Sequence, residues 1–254
     1  IALLQENDEN GFDIKIIEHA TAKQIQDAES LITIRRNAMW CPHCQKETPV
    51  SSLRGNKNGS NNNNLSGLRD WEKNDFMPLE DDVYQERLYA LRCKSSSNRY
   101  YIAPSEFELN IEKKIEQYLG KVFSEWQEKG YIPSNSIETG YNTDQPIREK
   151  GWKYWHQLFN PRQLYVNGLF AKTVDEISQN ESEALVGMLN INNNANWNSK
   201  LCRWRNDETH PNSDTFYNQA LNTLFTYCCR SFSGYSAINL SSKLMDVENA
   251  NIVT

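Results

Sequence analysis

Cys41-Pro42-His43-Cys44 is the stretch whose residue types and spacing specify chemistry most directly. Two thiols separated by two residues on a tight turn supply half of a tetrahedral thiolate site, and zinc is the metal such a pair implies. The shell needs further ligands, and the chain contains no second CxxC. Cys93 is the candidate third ligand, on a strand expected to pair with the one leading into the knuckle. His43, inside the knuckle, is geometrically awkward as a fourth. The alternative is a metal-free knuckle with reduced thiols. Thioredoxin-like redox chemistry fits less well, because that motif opens a helix after a strand, whereas Gln45–Val50 (QKETPV) contains a proline and reads as a turn.

Two further segments interleave bases with aromatics. In Lys150 and the GWKYWHQLFNPRQLYVNGLF that follows it, Lys150, Lys153 and Arg162 stand among Trp152, Tyr154, Trp155 and Phe159; in SKLCRWRNDE, Lys200, Arg203 and Arg205 surround Trp204. Cations beside aromatic faces suit phosphate contact with base stacking, as single-stranded or flipped nucleotides require. The candidate nucleic-acid residues are Lys153, Trp155, His156, Arg162 and Gln163 in the first segment, with Arg162 and Gln163 expected to face outward, and Arg203 and Arg205 in the second. The plainer alternative is that the aromatics are packing anchors along which the basic side chains snorkel. Dinucleotide, P-loop, zinc-protease and serine-hydrolase motifs are absent from the sequence. His156 and His210 have no nucleophile beside them, and Glu80-Asp81-Asp82 reads as a solvated loop.

The elements that must position these residues fall into two regions. Phe12–Glu18 and Leu31–Trp40 read as strands, the second running into the knuckle, and Val83–Lys94 with Arg99–Ala103 as a strand pair closing the same small sheet. Ser51–Ser66 (SSLRGNKNGSNNNNLS) has no periodicity and reads as a mobile loop. Ser105 and Glu108 then form a capping box, and Ile111, Ile115, Tyr118, Leu119, Val122 and Trp126 recur at helical spacing. Asn160 is placed to cap a helix with Pro161 in its first turn and Val166, Leu169, Phe170, Val174 and Ile177 as its buried stripe. A short helix is expected over Ser182–Asn190. Another is expected from Asp214 or Thr215, carrying Phe216, Ala220, Leu224, Tyr227 and Cys228 on one face, with Cys228 and Cys229 as packing thiols. Ser236–Leu240 and Ala250–Thr254 read as strands of a sheet that is only beginning. The expected class is α+β: a β-rich zinc-ribbon-like region over 1–103, a helical region over 104–235, and the start of a further sheet over 236–254.

The 254 residues suffice for one large domain or two modest ones. A net charge of −6 excludes a general polycation, so any nucleic-acid contact must be local. No run approaches the length of a membrane span, and the first residues lack the basic start and cleavage site of a signal peptide. A cytoplasmic location is therefore expected, and the six cysteines read as one knuckle plus buried thiols.

Taken in order, CPHC, RLYALRCKSSSNRYYIAPSEFEL, GWKYWHQLFNPRQL, LCRWRNDE and FYNQAL resemble the adenine-specific DNA methylases that contain a zinc ribbon. The resemblance is scattered from about Ile34 to Thr254, and its weight lies in the order of the pieces, with Phe-Asn-Pro-Arg-Gln-Leu the most distinctive. It implies a chain abutting, or inserted in, an α/β methyltransferase sheet, with a glycine-rich S-adenosylmethionine site expected upstream and an Asp-Pro-Pro-Tyr catalytic motif downstream of NANIVT. Neither motif occurs here, so the expectation is an internal fragment of a larger enzyme, serving target recognition or scaffolding and inactive alone. It further implies DNA as partner; a separate expectation is a structural or partner-docking domain among the subunits of a restriction or defence system. Family members carry two CxxC pairs; this chain departs from them in showing one. The alternative function is a non-enzymatic zinc-ribbon module that binds nucleic acid or docks a partner.

Overall fold

The structure, a computed structural model, describes residues 1–6, 11–54, 68–95, 98–205 and 212–230. The chain is mixed α+β and divides into two units, one of residues 1–69 with 78–113, the other of residues 70–77 with 114–254. No helix among the described residues is long and apolar enough to cross a membrane.

The first unit holds three small antiparallel sheets and little buried apolar surface. Strands β1 (Ala2–Glu6) and β2 (Phe12–Ile16) pair with Ala2 opposite Ile16 and Glu6 opposite Phe12. Helix α1 (Ala22–Ser30) begins at a Thr21/Gln24 capping box but buries none of its residues. The segment expected as one strand, Leu31–Trp40, folds instead as a hairpin of β3 (Ile34–Arg35) and β4 (Ala38–Trp40). Its reversal sits at Arg36 and Asn37, both with positive φ (49° and 62°), the backbone that a two-residue turn of matching twist requires. Strand β5 (Glu47–Pro49) completes the order β3-β4-β5 and leads into α2 (Val50–Arg54). The expected loop therefore starts with a helical turn, and the rest of it lies outside the described residues.

Strands β6 (Leu91–Ser95) and β7 (Asn98–Ile102) pair with each other, in register from Leu91 opposite Ile102 to Ser95 opposite Asn98. They form a sheet of their own and do not close the knuckle sheet. Asp82 belongs to no solvated run: Arg69 grips its carboxylate with two bonds of 2.9 and 2.8 Å, and the Leu79 N–H adds a third at 2.9 Å. That bonding, chiefly from Arg69, holds its carboxyl below the usual range.

The second unit carries the core. Helix α3 (Glu106–Glu128), which belongs to this unit from Lys114 onward, starts where its capping box places it, with the Ser105 N–H donated to the Glu108 carboxylate at 2.8 Å. Its buried stripe, Leu119, Phe123 and Trp126, packs with Ile132 and Leu164. Next come α4 (Asp144–Lys150), a 3₁₀ turn (Trp155–Leu158) and α5 (Pro161–Ile177). Asn160 caps α5 as expected, its side chain accepting the Gln163 N–H at 2.8 Å. The face that α5 buries is Gln163, Leu164, Gly168 and Ala171, whereas Leu169 and Ile177, expected inside, are exposed. Gly168 decides this, because a Cβ there would lie 2.4 Å from the Trp126 ring, so the large aromatic of α3 fits only against a bare backbone. Helix α6 (Glu181–Asn196) runs through the asparagine-rich stretch expected to end it, and Asn194 donates to Asn167 of α5 at 2.7 Å.

A second cluster, Trp71, Ile137, Trp152, Leu158, Leu201 and Leu221, shares the half-buried Phe159 with the first. The helix expected from Asp214 or Thr215 does not form. Its amides bond to distant carbonyls instead: Thr215 to Asn196 at 2.6 Å, Leu221 to Asn142 at 2.8 Å and Cys228 to Cys202 at 2.7 Å. Those partners replace the local ladder, and the segment becomes a fixed irregular strap. The strands expected after Ser236 lie outside the described residues.

Candidate functional site

The entrance to α5 is built from the inside out. Gln157, fully buried, accepts the Lys153 and Tyr154 N–H groups at 2.7 and 3.1 Å and donates to the Glu72 carbonyl at 2.6 Å. His156 is also fully buried, with Nε2 3.0 Å from the Asp75 carbonyl and Nδ1 3.4 Å from Gln127 Nε2. Facing the Asp75 carbonyl, Nε2 is a proton-bearing nitrogen, and the Pro133 carbonyl also bonds the ring. Burial pushes the His156 pKa down to about 4; the bond to the Asp75 carbonyl opposes that shift, and the charge of Lys200 adds to it. His156 is thus a neutral core residue, which corrects its expected place on a nucleic-acid surface.

Gln163 is corrected in the same way. It faces inward at 0% exposure, its side-chain oxygen accepting the Asn160 N–H at 2.9 Å while its amide donates to Asn198 at 3.0 Å. Asn198 in turn accepts the Arg230 N–H at 2.9 Å, and the Arg230 guanidinium donates to Asn212 at 2.9 Å. Ser199, Thr215 and Cys202 form an adjoining buried set, with the two hydroxyls 2.8 Å apart. This network fixes the backbone on both sides of Leu201-Cys202.

Lys200 lies inside as well, at 1% exposure, its ammonium 3.9 Å from the Trp152 ring centre and 4.9 Å from that of Trp71. A cation held against two rings away from water gains more from them than one at the surface. Lys200 is therefore an internal post and no part of a surface basic patch. Of the remaining candidates, Lys153 is 43% exposed with Nζ 3.1 Å from Asp70, Arg162 is half-buried, and Trp155 packs against the second core cluster. Arg203 and Arg205 are exposed. Arg203 lays its guanidinium 4.4 Å over Tyr217, and its backbone is pinned through Ser213, whose N–H donates to its carbonyl at 3.0 Å. Arg203 thus stands on a backbone bonded in both directions to Ser213, with the exposed Arg205 two residues on, the arrangement a phosphate-contacting surface needs. His210 lies outside the described residues.

The sequence offered little signal for Asn198, Lys200, Asn212 and Arg230. Their types are those of surface residues, and only long-range partners place Asn198, Lys200 and Asn212 inside and hold Arg230 half-buried against them.

In the first unit, Cys41–Cys44 occupies the turn from β4 to β5. The Cys41 N–H donates to the Lys46 carbonyl at 3.0 Å, the Gln45 N–H to the Cys41 carbonyl at 2.9 Å, and Gln45 takes a φ of 55°. The Cys44 N–H points at the Cys41 sulfur at 3.5 Å and, as the largest influence, holds that thiol below its ordinary range. Two thiols on a bonded knuckle suit a thiophilic ion such as zinc. Cys93 does not join them: it lies in the separate β6–β7 sheet, and no group of three or more His, Cys, Asp or Glu side chains is present among the described residues. The expected pairing of its strand with the knuckle strand is corrected, since β5 and β3 occupy both edges of β4. No family model, curated protein or solved structure matches the chain.

Proposed function

We propose that this chain is the target-recognition or scaffolding portion of a DNA adenine-N6 methyltransferase, carrying a zinc-binding knuckle at Cys41 and Cys44. S-adenosylmethionine supplies the methyl group in such enzymes, and the chain contains neither the glycine-rich cofactor motif nor the Asp-Pro-Pro-Tyr motif. Its own residues then serve to bind and orient DNA and do not move the methyl group. The observation that carries the reading is the exposed Arg203–Arg205 edge, held on a backbone that the buried Asn198, Ser199 and Asn212 bonds lock. Lys153 and Arg162, at the entrance to α5, are the second source of phosphate contacts.

The test is fluorescence anisotropy with a short duplex at several salt concentrations, beside a radiolabel methyl-transfer assay. Binding is expected to weaken as salt rises, and Arg203→Ala and Arg205→Ala each to lower the log–log salt slope by about 1. No base methylation is expected from the chain alone. Salt-independent binding, or no binding, would remove the DNA role; methyl transfer would remove the scaffolding one.

The knuckle favours a second reading, a non-enzymatic zinc-ribbon module that binds nucleic acid or docks a partner. Coding sequence downstream of Thr254 separates the two, since the methylase reading expects Asp-Pro-Pro-Tyr or a close variant there.

A further inference from the structure

We infer that two copies of this chain join through one zinc ion held by Cys41 and Cys44 of each. The inference rests on the zinc reading of the knuckle and is independent of the methylase reading.

Zinc bound by thiolates takes four ligands in a tetrahedron. The knuckle offers two, and its turn is already set by the Cys41–Lys46, Gln45–Cys41 and Cys44–Cys41 bonds, so little ordering remains for metal binding to do. All six cysteines are among the described residues, and no third thiol, imidazole or carboxylate groups with these two there. Among the described residues, a single chain therefore presents an open half-shell. The simplest partner with matching chemistry is the same half-shell on a second copy, related by a two-fold axis through the ion.

The surroundings admit such an approach. Cys44 is exposed, Cys41 half-exposed, and every residue from Pro42 to Glu47 is open to solvent, so the turn projects without a side chain buried over it. Register partners Ile34 and Met39, on the same face of the hairpin, are 37% and 38% exposed, leaving apolar surface beside the turn for a second copy to cover. Four thiolates on a dication leave two negative charges, and Lys46, two residues after Cys44 in each copy, offsets them. Each union releases the protons of whichever thiols were protonated and changes no oxidation state. The first unit also has a use for a staple: its buried apolar residues are Ala38, Val50 and Leu68 among those described, and two of them flank the knuckle sheet.

The test is titration of the full 254-residue chain with zinc, and with cobalt as an absorbing tetrahedral probe, read by native mass spectrometry and light scattering. The expected result is about half a metal ion per chain, a doubling of mass, a four-thiolate cobalt spectrum and return to single chains on chelation. Cys41→Ser and Cys44→Ser are each expected to abolish doubling with the helical circular dichroism unchanged, and Cys93→Ser to leave it intact. One metal per single chain would overturn the shared site while leaving the zinc reading standing. No retained metal in the wild-type chain would overturn both.

Discussion

His156 sits between Phe123, edge-on with ring centres 5.3 Å apart, and Tyr154, stacked at 5.8 Å. With a folded pKa of about 4 against roughly 6.5 unfolded, the neutral ring is the form the fold selects. Between those values the unfolded chain binds more protons, so stability is full above about pH 6.5 and falls as pH drops towards 4. The difference corresponds to at most about 3 kcal/mol. Urea unfolding midpoints from pH 7 to 4 are expected to show this slope in the wild type and to lose most of it in His156→Gln. An equally steep slope in the variant would assign it to carboxylates instead. Trp155→Ala is expected to act on packing, lowering stability by about 3 kcal/mol or more, because Trp155 lies against the second core cluster.

At the scale of elements, α5 is positioned by its first residue and by one glycine. Asn160→Ala removes the side-chain half of the capping box and is expected to cost about 1 kcal/mol, read by chemical denaturation. Gly168→Ala would gain about 1 kcal/mol from helix propensity alone. Its Cβ, however, would meet Trp126 Cε3 at 2.4 Å and Cζ3 at 2.6 Å, within a ring that Tyr165 stacks on at 5.6 Å. The ring has no room to yield, so net destabilisation of about 1–3 kcal/mol is expected. A stabilised Gly168→Ala variant would show that α3 and α5 are less tightly packed than these distances indicate.

On the scale of the whole molecule, the −6 net charge repels a polyanion at long range, so the DNA contact proposed for Arg203 and Arg205 would have to be short-ranged. Lys153→Ala and Arg162→Ala are expected to weaken binding to every duplex sequence alike, by a few-fold each at physiological salt, in the same anisotropy titration. Unchanged binding in both variants would restrict the contact to the Arg203–Arg205 edge. The two units also differ in kind. The first relies on hairpins and caps around three buried apolar residues among those described, and the second on two aromatic clusters threaded by buried polar bonds. With zinc at the knuckle as proposed, its removal by a chelator is expected to raise proteolytic cleavage in the first unit and to leave the helices of the second intact.

Signals acting within a few residues were legible in the sequence by itself. The Ser105 and Asn160 caps, the β6–β7 strand pair, the turn at the thiol knuckle and the existence of α3 follow from local bonding or periodicity, but of the α3 stripe Tyr118 is exposed and Phe123, outside it, is buried. Tertiary structure decided what local chemistry leaves degenerate. A histidine, a glutamine and a lysine with surface-like neighbours in sequence became core residues because distant carbonyls, amides and rings were there to satisfy them. The stripe from Phe216 to Cys228 has helical spacing, yet the amides of Phe216, Leu221 and Cys228 found partners 20, 79 and 26 residues away. Such contacts form only when the whole chain has collapsed, and no window of sequence contains them.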